Sequence, residues 1–176
     1  LTNPDFVLVG QQTEESGKKI EDFFRTLYPT PEIDIAKMSL TEAEITKISI
    51  NGFCTMKISY ANMIGDACLN SDCNPDVVLK SVGLDKRIGR KYLNHGDSFG
   101  GPCFPRDTKA LSMFLRQVGI ESNIIDSVRF YNEIHVEKQV EEYLQKYSNH
   151  EGLFFENVVY KKDCKVPIIE ESAKLK

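Results

Sequence analysis

Residues 45–69 place apolar side chains on most faces of one helical stretch, and no other feature of the chain limits its folding so strongly. Ser39-Leu40-Thr41-Glu42 stands immediately ahead of it. In this capping-box pattern a hydroxyl and a carboxylate each satisfy an orphan backbone donor at a helix start. The pattern predicts a helix from about residue 39 to about residue 70. An ordinary surface helix has one apolar stripe. A helix apolar nearly all round must be covered on several sides, as in a bundle or at a subunit interface. It is not read as a membrane span, because no apolar run approaches the roughly 20 residues a bilayer crossing needs.

The flanks read differently. Phe6-Val7-Leu8-Val9-Gly10 is a short apolar run ended by glycine, the pattern of a buried strand. Residues 14–27 form an amphipathic pattern with Ile20, Phe23, Phe24 and Leu27 on one face, closed by Pro29 and Pro31. A second short strand is expected near 33–36, and strand-helix-strand is how part of an α/β domain reads. Beyond the long helix, Asn74-Pro75 opens another and Gly83 ends it, since Pro suits the first helical position. A loop rich in Gly, Asn and Asp covers 86–105. Asp107 is expected to cap a helix that runs to Val118 and stops at Gly119. A further helix is expected over 128–147, a strand over 153–160 and the start of a helix over 170–176. The expected fold class is mainly α: a central helical domain with a long buried helix, flanked by incomplete α/β, Rossmann-like pieces.

A net charge of -4 with dispersed basic residues gives no nucleic-acid footprint, which needs Lys and Arg gathered on one face. No signal-peptide pattern opens the chain, so a cytoplasmic protein is expected. The five cysteines are an odd, scattered set, neither a disulfide framework nor a zinc pattern, so reduced thiols and no metal are expected. Cys54 and Cys68 read as small core residues, Cys73 as a helix end and Cys164 as a late loop. Only Cys103 has unusual neighbours.

Those neighbours are Phe99-Gly100-Gly101-Pro102-Cys103-Phe104-Pro105-Arg106-Asp107. Adjacent glycines allow close backbone approach and positive φ. The thiol stands just before a helix, whose N-terminal dipole favours a thiolate or a nearby anion. On pattern alone, a Gly-rich loop with a buried cysteine and an Asp cap is the commoner arrangement.

The loop nevertheless closely resembles the active-site segment G-F-G-G-S-C-F-P-K-D of the UDP-glucose/GDP-mannose dehydrogenase family, with Pro102 for Ser and Arg106 for Lys. Gly83-Leu84-Asp85-Lys86-Arg87-Ile88-Gly89 is similar to the family's G-x-D-x-R-I-G, and Lys91-Tyr92-Leu93-Asn94 follows it. Glu44 to Phe53 resembles E-L-x-K-x-x-x-N-A-F, and Lys57 to Asn62 continues in register. Asn3-Pro4-Asp5 and Tyr131-Asn132-Glu133 also find counterparts.

The resemblance implies a two-step oxidation of a primary alcohol to a carboxylate with two NAD, UDP-glucose being favoured over GDP-mannose. Cys103 would attack the C6 aldehyde, and Asp107 would assist water activation and proton transfer. Lys47 and Asn51 would hold the oxyanion; four residues apart on a helix, they share a face. Arg87, Tyr92, Asn94, Gly100 and Lys161 match positions that hold the nucleotide sugar, Arg87 reaching across a dimer interface. In family terms, residues 1–38 would end the NAD-binding domain and 39–127 form the central dimerisation domain. Residues 128–151 would connect to a nucleotide-sugar-binding domain that begins over 152–176. Glu170-Glu171-Ser172 departs from the family's R-E-S.

No G-x-G-x-x-G occurs, so the chain is expected to be a core fragment of a homodimeric enzyme that binds no NAD well and does not turn over alone. Two other readings compete: a helical dimerisation module without chemistry, and a cysteine hydrolase pairing Cys103 with His95 but lacking an orienting acid in a recognised pattern.

Overall fold

The computed structural model describes residues 4–28 and 33–149. Pro29, Pro31, Lys161, Cys164, the expected strand over 153–160 and the expected helix over 170–176 lie outside the described residues. The chain forms two compact units, 1–49 and 50–176. Their boundary falls inside the long helix.

The first unit holds β1 (Phe6–Gln11), α1 (Glu14–Leu27) and β2 (Asp34–Ser39). β1 and β2 pair in parallel from Phe6 against Asp34 to Gln11 against Ser39. Val7 and Val9 bury alternate positions of β1, the period-two signature of a strand. β2 outruns its expected end at residue 36 because the pairing with β1 carries it through Ser39. Thr13 and Ser16 cap α1 reciprocally, and Glu14 and Glu15 sit favourably at the positive end of its dipole. Ile20, Phe23 and Leu27 are exposed.

α2 (Leu40–Leu69) starts with the expected capping box: Ser39 N donates to Glu42 Oε2 at 2.8 Å and Glu42 N to Ser39 Oγ at 3.3 Å. The second unit continues with α3 (Pro75–Val82), α4 (Phe104–Gln117) and α5 (Asn123–Lys146). Its apolar centre is Ala61 of α2, Leu79 of α3 and Leu93, with Ile64 and Val82 packed against them. A Cβ on Gly52 would lie 2.6 Å from Leu111 Cδ2, so the glycine is what lets α4 approach α2. Among the described residues no helix is long and apolar enough to cross a membrane. The chain is mainly α, with a small parallel sheet near its start.

Three expectations need correction. The burial of α2 is not apolar all round: Thr55, Ser59, Asn62 and Asp66 are buried, while Ile50, Phe53, Tyr60 and Met63 are exposed. The face turned inward is small and polar, with its hydroxyls satisfied: Thr55 Oγ1 donates to Gly52 O at 2.8 Å and Ser59 Oγ to Val128 O at 3.0 Å. Second, Asp107 does not cap α4. The helix begins at Phe104 because Pro105 fits a first turn, where its missing N–H costs nothing, and Cys103 takes the cap position. Third, α5 starts at Asn123, ahead of the expected start at 128. Its first turn is tied to α4 by Asp126, which accepts Ser112 Oγ at 2.7 Å, Ser122 Oγ at 2.6 Å and the Arg116 guanidinium.

Candidate active site

The thiol is presented by a turn that needs glycine. Gly101 has φ +80°, which an L side chain rarely adopts, and two residues later Cys103 stands exposed at the N-cap of α4. No hydrogen bond from its side chain caps the helix. One turn on, Asp107 N donates to Cys103 O at 2.8 Å, and its carboxylate turns inward to 4% exposure. Asn51 Nδ2 donates to Asp107 Oδ2 at 2.5 Å and Arg106 Nε to Oδ1 at 3.2 Å. A carboxylate is thus held behind an accessible thiol, and one N–H of the Asn51 amide is spent holding it.

The thiol opens onto a cleft of about 630 Å3 whose lining includes Tyr92, Asn94, His95, Phe99, Gly100 and Cys103. Tyr92 adopts φ +62°, a strained conformation for an aromatic residue that costs about 1–3 kcal/mol and persists only where surroundings enforce it. Its ring meets Phe104 edge to face at 6.0 Å.

Two asparagines hold the opposite wall. Asn132 of α5 accepts Phe99 N at 2.8 Å and donates to Phe99 O at 3.0 Å, while Ser98 Oγ donates to its main-chain carbonyl at 2.8 Å. Asn62 of α2 accepts Gly96 N at 3.0 Å and donates to Asp97 O at 3.3 Å. Behind that wall, Asp66 Oδ1 lies 3.1 Å from His95 Nε2, and Oδ2 lies 3.1 Å from His135 Nδ1 and 2.7 Å from Tyr131 Oη. Burial pushes the Asp66 carboxyl up, but hydrogen bonds from Tyr131, His95 and His135 outweigh it and hold it below the ordinary carboxylate value. Burial and the Asp66 contact push the Tyr131 phenol up.

The structure therefore joins Asn51 to Asp107 and gathers Tyr92, Asn94, Gly100 and Cys103 around one cleft. Arg87 is not in that lining; it forks onto Asp85, with Nε 3.0 Å from Oδ1 and a terminal nitrogen 2.6 Å from Oδ2. Lys47 lies in the first unit, on α2 four residues before Asn51. Lys161 is outside the described residues. His95 does have an acid beside it, Asp66, which no sequence pattern indicated. Asp66, His135 and the clamping roles of Asn62 and Asn132 escaped the sequence reading. Their one local signal was polar residues on otherwise apolar helical faces.

A dinucleotide of the kind Rossmann folds bind sets its pyrophosphate at a helix N-terminus with free backbone donors. In the first unit, the Thr13–Ser16 box takes the Thr13 and Ser16 backbone donors at the start of α1, and Glu14 and Glu15 add two negative charges there. The start of α1 is therefore not a seat for a pyrophosphate.

Residues 41–134 match the central domain of the UDP-glucose/GDP-mannose dehydrogenase family. The UDP-glucose 6-dehydrogenase of Rickettsia bellii is 34% identical over 128 residues, covering 71% of this chain and 29% of that protein. UDP-glucose 6-dehydrogenase TuaD of Bacillus subtilis is 34% identical over 131 residues, covering 74% and 28%. A UDP-glucose dehydrogenase structure from the hyperthermophilic archaeon Pyrobaculum islandicum superposes with TM-score 0.73 at 32% identity, covering 84% of this chain and 33% of that one. The chain thus spans about a third or less of the proteins it matches. With the matched stretch taking in α2 from Thr41 on, all of α3 and α4 and the cleft that holds Cys103, the chain belongs to the UDP-glucose/GDP-mannose dehydrogenase family.

Proposed function

We propose that this chain carries the thiol centre of a nucleotide-sugar 6-dehydrogenase whose substrate is UDP-glucose. One observation carries the reading: an exposed Cys103 on a sizeable cleft, with Asp107 buried one turn behind it and held by Asn51. The Cys103 thiolate adds to the C6 aldehyde carbon; a C–S bond forms and the carbonyl pair moves onto oxygen. The second N–H of the Asn51 amide and the Lys47 ammonium stabilise that oxygen. Oxidation of the adduct needs a hydride acceptor, which is NAD in the family. Once a thioester stands on Cys103, Asp107 takes a proton from the attacking water. The C–S bond then breaks and the thiolate leaves with its electron pair.

Tyr92, Asn94 and Gly100 hold the sugar in the cleft. Lys161 contacts the same ligand, and Arg87 serves the neighbouring subunit's site. The homodimer forms through the apolar groove of about 540 Å3 between α2 and α5, lined by Met56, Tyr60, Met63, Ile124 and Phe130, an exposed surface of the kind that marks an interface.

Titrating UDP-glucose and GDP-mannose separately into the 15N-labelled chain tests the substrate. UDP-glucose is expected to shift the Tyr92, Asn94 and Gly100 amides at lower concentration than GDP-mannose. The reverse order would assign the other branch of the family, and no shift with either would favour the dimerisation module. With UDP-glucose and NAD the chain alone is expected to form no NADH, and its appearance would refute that expectation.

A further inference from the structure

We propose that Asp66, His95 and His135 form a binding site for a divalent transition ion of the Zn2+ type, which ties α2, the loop before α4 and α5 together. One oxygen of Asp66, one ring nitrogen of His95 and one of His135 lie within 4.8 Å of one another. This is a two-imidazole, one-carboxylate donor set of the sort Zn2+, Co2+ and Ni2+ take.

The hydrogen bonding of His135 carries the argument. Its ring is buried to 1% exposure, and both nitrogens face acceptors: Nε2 lies 2.7 Å from Gly96 O, and Nδ1 lies 3.1 Å from Asp66 Oδ2. An imidazole that gives its one N–H to Gly96 O turns a lone pair on Nδ1 toward a carboxylate. That arrangement requires a cation between them, either a second proton or a metal ion. A ring N–H given to a backbone carbonyl, with the other nitrogen facing outward, is how metal-bound histidines are oriented.

His95 brings a second imidazole to the same carboxylate, with Nε2 3.1 Å from Asp66 Oδ1. Asp66 presents one oxygen to each ring at 3.1 Å, a separation that two ligands of one ion with bonds of about 2.0–2.2 Å can span. The His95 ring is seated against the helix by Gly65, where a Cβ would lie 2.1 Å from its Cδ2. Two groups compete with the ion. Lys138 Nζ lies 3.5 Å from Asp66 Oδ2 on a side chain 44% exposed, free to swing away, and Tyr131 Oη remains as a donor to the same oxygen.

The site is independent of the reading of Cys103, and its test needs no turnover. The probe is Co2+ added to the full chain and followed by visible absorption, with Zn2+ in a parallel thermal-unfolding titration. One equivalent of Co2+ is expected to give a d–d spectrum without a thiolate charge-transfer band, and Zn2+ is expected to raise Tm. His135→Asn and the more exposed His95→Ala each weaken binding by at least about tenfold. Lys138→Gln tightens it, because it removes the competing cation while leaving the three ligands. Absence of stoichiometric binding, a thiolate band, or affinity unchanged in His95→Ala and Lys138→Gln would overturn the site even if His135→Asn failed to fold.

Discussion

Asn132→Ala isolates the clamp that shapes the cleft wall. Phe99 is 6% exposed and rests both main-chain polar groups on the Asn132 amide, at 2.8 and 3.0 Å. Alanine removes both partners and leaves the Ser98 bond to the residue 132 carbonyl intact. A buried polar group left unpaired costs about 1–3 kcal/mol. Asn132 is itself only half-buried, so water relieves part of the loss, and the expected destabilisation is about 2 kcal/mol. Urea unfolding followed by linear extrapolation reads it directly. Asn132→Asp keeps an acceptor for Phe99 N but no donor for Phe99 O, and is expected to recover less than half the loss. The clamp argument fails if Asn132→Ala stays within about 0.5 kcal/mol of the parent, the range of ordinary surface substitutions.

Other outcomes follow from the same contacts. Gly65→Ala would gain helix propensity in isolation, yet is expected to lose about 1–3 kcal/mol because its methyl collides with the His95 ring; a more stable variant would contradict the packing. Iodoacetamide followed by peptide mass mapping is expected to label exposed Cys103 fastest, ahead of exposed Cys73, with buried Cys68 slowest; burial pushes the Cys54 thiol up and slows it too. Asp126 supplies a pH signature. Hydrogen bonds from Ser122 and Ser112, with Arg116 beside them, hold its carboxyl below the ordinary value. A folded-state value below the unfolded one contributes stability above about pH 4 that is lost as pH falls through the folded value. The urea midpoint should therefore drop between pH 5 and roughly pH 3 more for the parent than for Asp126→Asn, and parallel pH profiles would remove Asp126 from the account.

Elements governed by local chemistry were legible in the sequence, and those governed by distant partners were not. The bounds of α1 and the box that opens α2 follow from periodicity and from Ser39 and Glu42. The start of α4 was misplaced because Pro105 punctuates a loop and begins a helix with equal ease. The early start of α5 depends on Asp126 reaching Ser112 and Arg116 of another helix. The inward face of α2 misled because several of its polar residues are satisfied by groups far along the chain, as Ser59 is by the Val128 carbonyl and Asp66 by Tyr131. The thiol loop could be recognised through contiguous motifs. Asp66, His95 and His135 are separated by 29 and 69 residues from the first of them, so no local spacing betrays their convergence.

The central claim is that Cys103 is the nucleophile toward a nucleotide-sugar aldehyde. The most direct measurement is 13C NMR of the chain mixed with UDP-glucose 6-aldehyde labelled at C6, with no NAD present. Without a hydride acceptor the reaction stops at the adduct, so a thiohemiacetal carbon resonance is expected with the parent and absent in Cys103→Ser. No adduct with the folded parent, or an adduct that persists in Cys103→Ser, would contradict the account.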